Sequence, residues 1–196
     1  MLTSDIALDL VLSVVGDFVP EKVHSQAQLQ RPTKTVKDKD GKTLETCTSD
    51  VPDLVSVHGN LAPSAQNDPS ATLAFYYRLG QPFPGSPAFT WTINFEKGEI
   101  RLVAPGGSAM EFSPPGKPIT IEVHHFDTNE VDNVPWEWSE LQKEVPPMGY
   151  GVQTCLYAFA DKSIKGGEAW VDVEDAARRA QLLEGFFKSW DESKAK

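Results

Sequence analysis

Apolar residues near the start of the chain recur at helical spacing. Ile6, Leu10 and Val14 with Leu8, Val11 and Val15 make one broad apolar face, which predicts a helix over residues 4–16. Ser4 is placed to cap it, Asp5 opposes the helix dipole in the first turn, and Gly16 is a natural stop. The period then changes from helical to two. Over residues 23–30, Val23, Ser25, Ala27 and Leu29 alternate with His24, Gln26, Gln28 and Gln30, a strand with one polar face. Residues 33–50 are charged and carry Asp40-Gly41 as a turn signal, which predicts an exposed hairpin or loop.

Further strands are predicted over residues 53–62 and 71–79, joined by a Pro/Ser/Asn/Asp-rich linker at 63–70. The QPFPGSP run at 81–87 is too proline-rich for regular structure. Residues 88–95 and 99–103 read as a hairpin around Lys97-Gly98, and 119–126 and 131–138 complete the strand set. Residues 148–161 and 172–191 read as helices. Asp172 is the expected cap of the last, with Ala176, Ala180, Leu183, Phe187 and Trp190 along its inner face.

The strand faces sort consistently. Val55, Val57, Leu61, Leu73, Phe75, Tyr77, Phe89, Trp91, Ile93, Phe95, Ile119, Ile121 and Val123 would point toward helices. Ser56, His58, Asn60, Tyr76, Arg78, Thr90, Thr92, Asn94, Glu122 and His124 would line the opposite, polar face. Such alternation predicts an α+β fold, a large, mostly antiparallel open sheet with helices packed on one face. The 196 residues fit a single domain spanning 1–196.

Composition narrows the function classes. With 28 acidic against 18 basic residues the net charge is −10, so nucleic acid is not an expected partner. No apolar run approaches the roughly 20 residues of a membrane helix, and residues 8–15 lack the basic flank of a secretion signal. The two cysteines, Cys47 and Cys155, are far apart in sequence, which suits a reduced, cytoplasmic protein, with Cys155 read as a small core residue. CxxC, HExxH, Walker A, GxSxG and GxGxxG motifs are all absent.

Four segments carry a resemblance: LDLVLSVVGDF (8–18), QLQRP (28–32), FTWTINFEKGEIRL (89–102) and VEDAARRAQLLEGFFKS (173–189). Together they resemble the substrate-side, C-terminal domain of the glucose–fructose oxidoreductase and inositol dehydrogenase family (Gfo/Idh/MocA), in its fungal galactose-repressor-like branch. The resemblance implies a Rossmann domain ahead of this one, but only Met1, Leu2 and Thr3 precede the helix. The expectation is therefore a domain acting alone, without NAD(P) or another cofactor. The family's H-x-x-D motif implies a proton-transferring His where this chain has Ile6, while Asp9 matches the Asp. Hydride transfer of the family type is not expected. The resemblance also implies a homodimer.

Candidate chemistry follows from the polar face. His58 and His124 with Tyr76, Arg78 and Glu122 either face water or a subunit, or orient a substrate by hydrogen bonds. None of the four histidines, His24, His58, His124 and His125, shows zinc-protease or zinc-finger spacing, and adjacent His124 and His125 point to opposite faces, so no metal is expected. Asp5 and Asp9, one helical turn apart, are either a paired-carboxylate site or helix and surface charge. Trp136 and Trp138 alternate onto one face of an edge strand and either wall a pocket with Phe83, Trp91 and Tyr150 or clip loops down. The candidate catalytic groups are Tyr76, His58 and Asp9. The candidate substrate contacts are Trp91, Arg78, His124, Trp136 and Tyr150.

Two functions from different classes follow. One is a cofactor-independent enzyme of fungal natural-product biosynthesis, closing rings, by [4+2] cycloaddition among other routes, or isomerising a hydrophobic small molecule. The other is a regulatory or protein-binding module similar to the galactose-regulon repressors. An inactive oxidoreductase fragment is the third reading.

Overall fold

The computed structural model describes residues 3–64, 67–80, 82–160 and 173–194, without the side chains of 3–6 and 158. The protein has the expected α+β class, with helices and antiparallel sheets. Among the described residues, pairing is divided over three sheets, a finer partition than the single large sheet expected. The contacts divide the chain into two compact units: residues up to Gly80 with those from Val173 onward, and the stretch between.

The first unit begins with α1 (Thr3–Val15). Its buried stripe is Ala7, Leu8, Val11 and Leu12, while Val14, expected on that face, is exposed. Gly16 ends the helix at φ +87°, a conformation that costs glycine little. Asn67 donates to the Val15 carbonyl at 2.6 Å and satisfies one of the orphaned helix-end acceptors. The Asp5 and Ile6 side chains and the Asp172 cap lie outside the described residues.

Strands β1 (Phe18–Gln28), β4 (Leu54–Leu61) and β5 (Thr72–Arg78) form an antiparallel sheet in the order β1-β4-β5. β2 (Thr33–Lys37) and β3 (Thr43–Thr48) make a hairpin, the first of the two expected forms, its Asp40-Gly41 turn held by the Asp38 carboxylate. The inner face of the three-stranded sheet carries Val55, Val57, Leu61, Leu73 and Phe75. They pack with Leu8 and Leu12 of α1, Phe18, and Leu182, Leu183 and Phe186 of α4 (Val173–Lys194). The α4 stripe is therefore rotated from the one expected: Ala176 and Ala180 are exposed. The outer face is polar, as the alternation requires, and its rungs read Gln26–Ser56–Tyr76 and His24–His58–Ala74.

Asp53 ties the sheet ends together. Its buried carboxylate accepts from the Gln30 N–H at 2.8 Å, the Arg31 N–H at 3.1 Å and Arg31 Nε at 3.0 Å. Its own backbone joins Gln28 and Leu79, and Arg31 also donates to the Leu79 carbonyl. Burial works against the Asp53 charge, but the Gln30 and Arg31 donors outweigh it and hold the carboxyl below its ordinary range.

The second unit holds β6 (Phe89–Phe95), β7 (Gly98–Ala104), β8 (Thr120–His125) and β9 (Val131–Asn133) as a four-stranded antiparallel meander. β9 stops five residues short of the expected strand 131–138, because Pro135 has no N–H to donate to a ladder. Two helices follow, α2 (Glu140–Lys143), opened by a Ser139–Gln142 capping box, and α3 (Tyr150–Ala160). Cys155 is exposed on α3 rather than buried in a core, and Cys47 is exposed too. Phe95, expected to face helices, is exposed beside the hairpin turn. Among the described residues no helix is long and apolar enough to cross a membrane.

Candidate functional site

A groove of about 800 Å³ runs in the first unit between α4 and the start of β1. That volume lies in the usual range of small-molecule sites. Phe18, Val23 and Ala62 form its apolar floor with Leu182 and Phe186 of α4. Asp17, Arg178, Arg179, Gln181, Ser25 and Ser189 supply polar groups.

The charged end is a network. Arg179, its side chain only 14% exposed, donates to Asp9 at 2.6 Å and to Asp17 at 3.3 Å. Arg178 pairs with Asp175 one turn earlier and reaches Asp17 at 3.5 Å. Burial of Arg179 opposes its charge, but hydrogen bonding to Asp9 and the charges of Asp9 and Asp17 outweigh it. The network pins α4 to α1 and to the first residue before β1. Because Asp9 is 56% exposed, the pair itself adds no more than about 1 kcal/mol.

The candidate residues fall in several places. Asp9 lies on α1 and is the ion-pair partner of Arg179. His58, Tyr76 and Arg78 share the outer face of the three-stranded sheet, where Tyr76 is 64% exposed. In the second unit, His124 meets Asn129 at 3.0 Å and stacks edge-on against Phe126. Glu122 is bound by Arg101, its register partner, at 2.7 Å. His125 pairs with Asp132 at 3.1 Å. Trp91 is half-buried opposite Leu102.

Trp136, Trp138 and Tyr150 do come together. The two indoles meet edge to face at 5.4 Å, and Trp138 meets Tyr150 at 5.0 Å. Trp136 donates its indole N–H to the Ile119 carbonyl at 3.2 Å. The cluster clips residues 136–138 to Ile119, just ahead of β8, and to Tyr150 at the start of α3. Phe83 is 77% exposed.

The groove residues were not singled out by the sequence pattern. The signal was present: Arg179, Leu182 and Phe186 stand at i, i+3 and i+7 in VEDAARRAQLLEGFFKS. The competing stripe through Ala176, Ala180 and Leu183 has the same period.

No model of a protein family matches the chain. No curated protein matches it. Solved structures do. The super-repressor mutant Gal80(S2) [E351K] of Gal80p from Saccharomyces cerevisiae aligns with 96% of the chain at 15% identity and a TM-score of 0.68. The transcriptional regulator Gal80p from Kluyveromyces lactis aligns with 97% at 15% identity and a TM-score of 0.69. The chain has a Gal80p-like fold. A second yeast super-repressor mutant, Gal80(S0)-[G301R], aligns with 95% at 14% identity and a TM-score of 0.60. The chain spans 43–47% of the length of these Gal80p chains. This likeness accords with the resemblance to a Gfo/Idh/MocA substrate-side domain and, at such identity, concerns the fold alone.

Proposed function

We propose that this chain is a binding module, regulatory rather than catalytic, that takes an apolar small molecule into the groove between α4 and β1. Gly185 carries the reading. It lies within α4, where glycine costs roughly 0.5–1 kcal/mol relative to alanine. A Cβ there would meet no atom within 4 Å, so packing does not require glycine. Gly185 lines the groove, and the space a side chain there would enter is unoccupied. A helix that gives up stability to keep a groove clear suits a ligand site.

Two further features support a binding role. The fold is that of proteins described as a transcriptional regulator and its super-repressor mutants. His58 and Tyr76 are largely exposed and so little desolvated, and the Asp9 carboxylate is engaged by Arg179, an arrangement that does not favour proton transfer.

Anilinonaphthalene sulfonate, a fluorescent dye with an apolar body and one anionic group, is a suitable probe. The folded protein should bind one dye with micromolar affinity. Gly185→Trp should fill the groove and weaken binding about tenfold or more while near-ultraviolet dichroism shows an intact fold. Undiminished dye binding by Gly185→Trp would overturn the proposal.

The apolar floor also favours a second reading, a cofactor-independent cyclase or isomerase. A groove that holds a reactive conformer can lower a barrier by up to roughly 7–11 kcal/mol through orientation alone. The two readings separate on the recovered ligand: a module returns it unchanged, and an enzyme returns an isomer of the same mass.

A further inference from the structure

The outer face of the three-stranded sheet brings together two imidazoles, His24 and His58, where the sequence led to no expectation of a metal. His24 on β1 and His58 on β4 are register partners on antiparallel strands, and both side chains are exposed. Directly opposed residues place their Cβ atoms about 4.5–5.5 Å apart on the same face. From that separation two imidazoles can turn toward one ion at the usual metal–nitrogen distance of about 2.0–2.1 Å.

We propose that His24 and His58 form a two-histidine site for a divalent ion of the nickel–copper–zinc group. Imidazole is a preferred ligand for these ions, and both rings lie at the solvent, where a ring nitrogen lone pair is available. The next residue along the rung, on the far side of His58, is Ala74. Its single methyl leaves space beside the rings for water or for a donor from another molecule. Among the described residues no group of three His, Cys, Asp or Glu side chains converges, so the protein supplies two ligands and leaves the other positions open. The bound ion would cross-link β1 to β4. Because it binds only the folded pairing, it would stabilise the native state by mass action.

Nickel(II) is the appropriate probe, because the exposed thiols of Cys47 and Cys155 would reduce copper(II) and compete for zinc(II). Calorimetric titration of the full chain with nickel chloride near neutral pH, in a buffer that does not chelate, should give one ion per chain. At a free concentration ten times the dissociation constant the melting midpoint should rise by about 3–6 °C. His24→Ala and His58→Ala should each weaken binding about tenfold or more and remove the rise in melting temperature. Both residues are exposed, so both variants should fold. His124→Ala and His125→Ala should leave nickel binding unchanged.

Absence of binding by the wild-type chain would overturn the proposal. So would binding that survives in both His24→Ala and His58→Ala, or binding lost only in the His124 or His125 variant. His24 also borders the groove, whereas His58 does not. His58→Ala should therefore weaken nickel binding about tenfold or more while dye binding persists, and Gly185→Trp should do the reverse. The metal proposal and the groove proposal fail separately.

Discussion

Asp53→Asn should be among the most destabilising single substitutions in the chain, costing about 2–4 kcal/mol by urea denaturation. The carboxylate is buried and serves the Gln30 N–H, the Arg31 N–H and the Arg31 guanidinium. An amide has one acceptor oxygen where the carboxylate has two, and its NH2 would face a backbone donor. At least one donor of this part-buried cluster is then left without its acceptor where β1, β4 and β5 meet. Arg31, at 44% exposure, can turn to water, so the loss comes mainly from the backbone groups. The pH dependence has a definite sign. Because the folded carboxyl sits below its ordinary range, Asp53 stabilises the protein fully at neutral pH. That stabilisation is lost as pH falls below about 4 and through the folded value. The wild-type melting temperature should therefore drop more steeply in acid than that of Asp53→Asn. Equal acid profiles for the two would contradict the role given to Asp53.

Gly59→Ala and Gly185→Ala should move stability in opposite directions. At Gly59 a Cβ would lie 2.8 Å from the Lys22 carbonyl oxygen and 2.9 Å from Val23 Cα. These are backbone atoms of β1, where the register with β4 shifts between Phe18 and Val23. The bulged stretch of β1 leaves no room beside Gly59, and a methyl group must push the strand away. The expected cost is about 1–3 kcal/mol. Gly185→Ala enters open space on a helix and should gain roughly 0.5–1 kcal/mol. A neutral Gly59→Ala would mean that β1 yields readily at its bulge.

Much of the fold was legible because period and punctuation agreed. Gly16 stopped α1 where expected, Asp40-Gly41 turned the β2–β3 hairpin, and the polar face of β1 and β4 alternated as read. Errors arose where two readings of one pattern competed. On α1 and α4 the apolar residues outnumber those a single stripe can hold, so spacing alone admitted Val14 and Ala176 to faces they do not occupy. On β9 the alternation of Trp136 and Trp138 read as a strand, but Pro135 ends the pairing and the indoles pack against each other and Tyr150 instead.

The groove was less legible than the fold. It is assembled from Asp17 to Ala62 on one side and α4 on the other, segments separated by more than a hundred residues of sequence. Asp9 could be singled out as a helical carboxylate. Its partner Arg179, 170 residues away, could not be identified from spacing. Gly185 is the instructive case. Inside the amphipathic α4 it reads only as a weak position, and its meaning emerges when the space a Cβ would enter is seen to be empty.

The most direct test is a nuclear magnetic resonance titration of the isotope-labelled chain with anilinonaphthalene sulfonate. If the groove between α4 and β1 is the ligand site, the amide shifts should concentrate at Val23, Ser25, Leu182, Gly185 and Phe186, and Gly185→Trp should abolish them. Shifts centred instead on the exposed apolar residues of α3, at Val152, Leu156 and Phe159, would place the dye on the other unit and contradict the account.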